Sequence, residues 1–327
     1  MSGVTITAGV SFSGGITMTE APAPTENTAA WFGGGMFGPY PSPRVSTVDR
    51  ITYATDTATA SVRGPLSSAR SALAAAGNTT NGWFGGGYGP GPLSTVDRIT
   101  YATDTATASV RGPLSSATYS LAAAGNTTDA WFGGGSAPGS SSRSTVDRIT
   151  YATDTATASV RGPLSAVRYQ LAAAGNLTDG WFGGGNPGPG AGYALSRVFR
   201  ITYATDTATA STRGPLSLDR YSLAAAGNTT KGWFGAGYSP GTTSRVDRIT
   251  FATDTATASV RGPLSLARYA LAAAGNSTDA WFGGGVPAPG PLSRVDRITF
   301  ATDTATASVR GPLSSAKRYL AAAGGIQ

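Results

Sequence analysis

The sequence predicts an all-β chain, a six-bladed β-propeller with four antiparallel strands per blade, and three observations predict it. Trp-Phe-Gly begins at Trp31, Trp83, Trp131, Trp181, Trp233 and Trp281, at intervals of 52, 48, 50, 52 and 48 residues, and these are all 6 tryptophans of the 327-residue chain. A fixed period near fifty marks repeats that each bury a face against the next. Within each repeat, β-branched and aromatic residues alternate with small ones, and turn residues recur about every eight to twelve positions, the pattern of short strands. The two ends are complementary as well. The chain enters the repeat at a second strand, Ala29-Ala30-Trp31-Phe32, and ends on a lone first strand, Tyr319 to Gly324. The last strand can therefore complete the N-terminal blade and close the ring without unpaired edges.

Each strand follows from its residues. The first, Leu121 to Gly125, reads Leu-Ala-Ala-Ala-Gly and supplies small side chains where inner strands crowd around an axis. An Asn126-Thr127-Thr128 turn leads to the second, Ala130 to Gly134, whose Trp131 and Phe132 can fill the wider gaps between blades together with Ile149 and Tyr151. In the repeat before, the third strand spans Val96 to Ala102, and a tight turn at Thr103-Asp104 precedes a fourth from Thr105 to Val110. Residues 24–327 form the propeller domain. Residues 1–23 stand outside the repeat as an arm, in which Val4-Thr5-Ile6-Thr7 and Val10-Ser11-Phe12 alternate before Pro22. The arm reads either as a loosely docked tail or as a β-addition anchor to a partner chain.

Composition removes several functions. Without cysteine there are no disulfides, thiolate metal sites or cysteine nucleophile; without histidine the commonest general base and metal ligand is missing. No metal and no cofactor is expected. The formal charge of +7 is spread over the repeats in small increments, with no basic tail, which argues against a nucleic-acid partner. No window approaches eighteen apolar residues, and Met1 to Ile6 shows no basic stretch before an apolar core, so neither a membrane span nor a Sec-type export signal is visible.

Strand order puts the loops between second and third strands on the same face as the crossings between blades. These loops vary most, with Met36, Phe37 and Tyr40, then Tyr88, Tyr193 and Tyr238, on Gly/Pro-rich backbones. Variable loops on a rigid scaffold are candidates for binding, and solvent-exposed drift is the plain alternative. The crossings carry Arg70, Thr118, Arg168, Arg220, Arg268 and Lys317 at one equivalent position. The cations offer donors to a sulfated or carboxylated glycan or an acidic protein surface; the alternative, which we favour, is local pairing with aspartate or backbone carbonyls. Neighbours such as Asp97-Arg98 read as structural, and the fourth repeat has Phe199 in place of the aspartate. The Asn-x-Ser/Thr sequences at Asn78, Asn126, Asn176, Asn228 and Asn276 follow glycine and read as hairpin turns. The nonrepeating carboxylate that stands out is Asp219, beside Arg220. A lone carboxylate is a poor basis for catalysis, and no enzyme is expected.

The repeat resembles the kelch family. A glycine pair closes the second strand at Gly133-Gly134, Tyr151 lies in the third, and Pro163-Leu164 followed by Arg168 leads to the next blade. The chain departs from that family in the fourth strand, where Thr-Ala-Thr-Ala-Ser stands in place of a tryptophan. The tandem Asp-Arg-Ile-Thr-Tyr-Ala-Thr-Asp-Thr-Ala-Thr-Ala-Ser blocks and the Gly/Thr/Ser-rich arm are similar to proteins of marine tailed phages. That resemblance implies a virion appendage, fibre or decoration protein, assembled in the host cytoplasm as a homo-oligomer or multicopy array. Its partners would be other virion proteins, through residues 1–23, and a host-surface glycan or protein. The alternative is a host-cell kelch-type module that binds a protein or glycan.

Overall fold

The computed structural model describes residues 27–38, 42–188, 194–287 and 290–324. Six four-stranded antiparallel sheets form the blades of a propeller. Blade 1 consists of Ala321–Ala323, Ala29–Gly33, Val48–Thr52 and Ser61–Arg63, in that order from the axis outward. Blade 2 consists of Ala74–Gly77, Asn81–Gly85, Val96–Thr100 and Ser109–Arg111, and blades 3 to 6 repeat it around Trp131, Trp181, Trp233 and Trp281. The ring closes as its ends imply: Trp31, Phe32 and Gly33 pair with Ala323, Ala322 and Ala321.

The first three strands lie within a residue or two of their expected bounds. The fourth is shorter and later. Val96–Thr100 runs into a single 3-10 turn, Tyr101–Thr103, and the outer strand is only Ser109–Arg111. The backbone between them is committed to the preceding blade, where Asp104 accepts from Gly64 N–H at 2.8 Å and Ala108 donates to Pro65 at 2.9 Å. A segment whose hydrogen bonds leave the sheet cannot extend its ladder.

The core lies between blades. Each tryptophan of a second strand stacks on the aromatic residue after the third strand of the next blade: Trp31 on Tyr101 with centroids 3.7 Å apart, Trp181 on Phe251 at 3.8 Å, and Trp281 on Tyr53 at 4.0 Å across the closure. The indole N–H donates at 2.8–2.9 Å to the aspartate of that next blade's Thr-Asp-Thr turn, Asp104 for Trp31 and Asp56 for Trp281, at all six interfaces. Two arginines of the first blade reach the same carboxylate. Arg50 Nη1 lies 3.1 Å and Arg63 Nε 3.5 Å from Asp104, and the other interfaces repeat this clasp. Sequence neighbours such as Asp97 and Arg98 therefore do not pair with each other. The strand pleat sends them to opposite faces, Asp97 to Arg70 and Arg98 to Asp154.

The five Asn-x-Ser/Thr sequences are turns. The Asn78 carboxamide oxygen accepts from the N–H groups of Thr80 and Asn81 at 2.9 Å, and its Nδ2 donates to Thr127 of the next blade at 3.4 Å. These groups spend the side chain on holding one turn and linking it to its neighbour.

Candidate functional site

The face that carries the variable loops is organised as two concentric rings. The inner ring begins where each crossing turns into a first strand. Ala72, Ser120, Gln170, Ser222, Ala270 and Tyr319 adopt left-handed backbone there, with φ between 51° and 58°. Such a conformation costs a non-glycine residue about 1–2 kcal/mol. It is held by a closed circle of backbone hydrogen bonds, Ala72 to Tyr319, Ser120 to Ala72, Gln170 to Ser120, Ser222 to Gln170, Ala270 to Ser222 and Tyr319 to Ala270, all 2.7–2.8 Å. Sixfold geometry thus fixes the mouth of the axial channel, and Leu73, Leu121, Leu171, Leu223, Leu271 and Leu320 line the channel below.

The second ring joins the base of each variable loop to the adjacent crossing. Met36 bridges to Arg318, Tyr88 to Ser71, Ser136 to Tyr119, Asn186 to Tyr169, Tyr238 to Tyr221 and Val286 to Tyr269. Each bridge exchanges both backbone hydrogen bonds, at 2.7–3.1 Å. Side-chain identity varies on a backbone that does not.

Tyrosines gather on these rings. Tyr88 meets Tyr119 edge-on at 5.2 Å, and Tyr238 contacts Tyr221 at 5.4 Å and Tyr269 at 5.6 Å. Burial, then the phenol of Tyr269, pushes the Tyr319 hydroxyl up to about 12 against the opposing pull of Arg318. Arg44 lies over Tyr88 at 4.7 Å and Arg318 over Tyr319 at 5.9 Å. Between blades 4 and 5 the surface deepens into a cleft of about 570 Å³, lined by Ser196, Leu218, Asp219, Tyr221, Tyr238 and Pro240 among others.

The residues singled out from sequence fall into three groups. Tyr88 and Tyr238 belong to the aromatic cluster but are half-buried at the loop bases instead of exposed at the tips; Met36 and Phe37 are half-buried too. Tyr40 and Tyr193 lie outside the described residues. Arg70, Arg168, Arg220, Arg268 and Lys317 are sealed from solvent, at 0–1% exposure. Four of them pair locally: Arg70 with Asp97 at 2.9 Å, Arg220 with Asp247 at 3.0 Å, Arg268 with Asp296 at 2.8 Å and Lys317 with Asp49 at 2.8 Å. A ligand approaching this face meets other cations, Arg44, Arg143, Arg197, Arg245, Arg294 and Arg318, which are exposed or half-buried. Sequence reasoning passed over these six, and also Tyr119, Tyr169, Tyr221, Tyr269 and Tyr319. The signal was present in the residue that follows the buried cation, which is tyrosine in Arg168-Tyr169, Arg220-Tyr221 and Arg268-Tyr269.

Among the described residues, no group of three or more His, Cys, Asp or Glu could hold a metal ion, and no helix is long and apolar enough to cross a membrane.

The class is that of a six-bladed β-propeller which carries its variable loops, a cluster of tyrosines and six exposed or half-buried arginines on one face. Among solved structures it is similar to that of YjhT, with a TM-score of 0.67 and 12% sequence identity over 89% of this chain and 99% of the other. The likeness is one of fold. No family model matches the chain, and no curated protein does.

Proposed function

We propose that this chain is a non-catalytic binding module whose loop face holds an acidic ligand, a carboxylated or sulfated glycan of a cell surface. One observation carries the reading: the tyrosine cluster and the six accessible arginines share a face on which the exposed carboxylate among the described residues is Asp219. Phenol rings offer flat contact area at low entropic cost, and guanidinium groups offer paired donors to carboxylate and sulfate. The absence of histidine and cysteine also favours binding over catalysis. The ligand-binding role weighed for Arg70 and its equivalents, against the favoured local pairing, passes to the six arginines above them.

An array of acidic and neutral glycans tests this reading. Binding should favour acidic glycans and weaken with salt. Tyr221→Ala and Tyr238→Ala should each reduce it on the order of tenfold or more, as truncation of aromatic anchors does. Equal binding to neutral glycans, or binding indifferent to both substitutions, would overturn it. Capture of an acidic protein by the same residues would instead favour a kelch-type protein-binding module.

The setting we propose is a virion, with the chain present in many copies as an appendage, fibre or decoration subunit attached through residues 1–23. Repeat and arm composition support it, and the arm lies outside the described residues. Mass spectrometry of purified particles from the source should find the chain, and deletion of residues 1–23 should remove it from them. Particles that lack the intact chain would exclude this setting.

A further inference from the structure

Blade 4 departs from the sixfold pattern at two residues that face each other. Phe199 stands where the other blades have Asp49, Asp97, Asp147, Asp247 and Asp296, and its cross-strand partner Thr212 stands where they have valine. In blade 5 that aspartate is held from three directions. Ser217 Oγ donates to Asp247, Arg220 reaches it at 3.0 Å from the crossing, and Arg245 approaches at 3.8 Å from the solvent side. Blade 6 repeats the arrangement with Ser265, Arg268 at 2.8 Å and Arg294 at 3.5 Å around Asp296.

In blade 4 the corresponding groups are Ser165, Arg168 and Arg197, and the carboxylate is missing. The serine is provided for: Ser165 Oγ meets the Thr212 hydroxyl at 3.2 Å, which accounts for the second substitution. Arg168 is not. It is 1% exposed and, among the described residues, makes no ion pair, which sets it apart from Arg220 and Arg268; its guanidinium lies 5.3 Å from the Phe199 ring centroid. Burial, then repulsion from Arg197, lowers its pKa to about 10 against the attraction of Asp219, so the group remains charged at neutral pH. A ring face offsets less of the cost of burying a charge than a carboxylate does. Arg197 is exposed, which puts the outer arm of the clamp in reach of solvent.

We propose that Arg197, exposed above the Phe199 ring with the Arg168 charge buried behind it, receives one carboxylate group from outside the chain on the solvent side of that ring. The equivalent cations of blades 5 and 6 are matched to a carboxylate, Asp247 and Asp296, so a carboxylate is the anion we assign to blade 4. This deepens the loop-face reading and rests on it for the natural ligand, a glycan that bears a carboxylate.

The test is the melting midpoint of the full chain in sodium acetate, compared with sodium chloride and sodium sulfate at matched ionic strength. Acetate should raise the midpoint of the wild type by on the order of 2 °C beyond the other salts, through preferential binding to the folded state. Phe199→Asp, which supplies the carboxylate internally, should melt higher in chloride and lose the acetate response. Arg168→Met, which keeps the side-chain length without the charge, should also lose it. A wild type indifferent to acetate, or an equal response in all three proteins, would overturn the proposal. Failure of the loop-face reading looks different: glycan binding would be absent while the acetate response persisted.

Discussion

Asp104→Ala is expected to cost about 3–5 kcal/mol of folding stability, because it removes the anion from a buried cluster and leaves its cations behind. Its carboxylate accepts from the Trp31 indole at 2.8 Å and sits 3.1 Å from Arg50 and 3.5 Å from Arg63, with an Asp104 side chain only 6% exposed. Both arginines are also part-buried, at 29% and 19%, so solvent makes up little of the loss. Urea denaturation measures the effect. Asp56→Ala should match it, since Asp56 makes the same contacts with Trp281, Arg297 and Arg310 across the ring closure. Asp104→Asn should fall between, retaining an acceptor for the indole while losing the charge. A cost below about 1 kcal/mol would place the clasp with ordinary surface ion pairs.

Gly162→Ala should be at least as damaging, for a steric reason. A Cβ at Gly162 would lie 2.0 Å from the carbonyl oxygen of Ala208 in the next blade, and the same approach recurs at Gly64, Gly112, Gly214, Gly262 and Gly311 at 1.8–2.0 Å. The obstruction is backbone, and the Gly162 N–H donates to Asp206 at 2.8 Å, so neither side can yield without parting the blades. A cost above about 3 kcal/mol is expected, visible as a lower melting midpoint and loss of soluble yield. Gly91→Ala is the control. Nothing lies within 4 Å of its added Cβ, and its effect should stay within about 0.5 kcal/mol.

Both predictions concern contacts that the repeat conceals. Asp104 and Gly112 lie in the blocks that vary least, yet each acts on a neighbouring blade. The Thr105–Val110 segment shows the difficulty: its alternating threonine and alanine read as a strand, but Ser109 and Val110 alone join the ladder, and Ala108 donates instead to Pro65 of the blade before. The buried cations show it again. Spacing placed Arg70, Arg168, Arg220, Arg268 and Lys317 at one position on the loop face, and the favoured pairing with aspartate holds for four of them. That Arg168 lacks such a partner follows from Phe199, a substitution plain in the sequence whose consequence depends on what packs beside it.

The sequence by itself determined the number of blades, the order of the four strands and the closure of the ring. Those properties follow from period, alternation and residue size, which are local and repeat six times. The tertiary structure alone decided which carboxylate meets which arginine, and which tyrosines share a surface. Asp104 and Trp31 are 73 residues apart, while Asp97 and Arg98 are adjacent and point to opposite faces. Pleating separates neighbours, and circular packing joins each blade to the next.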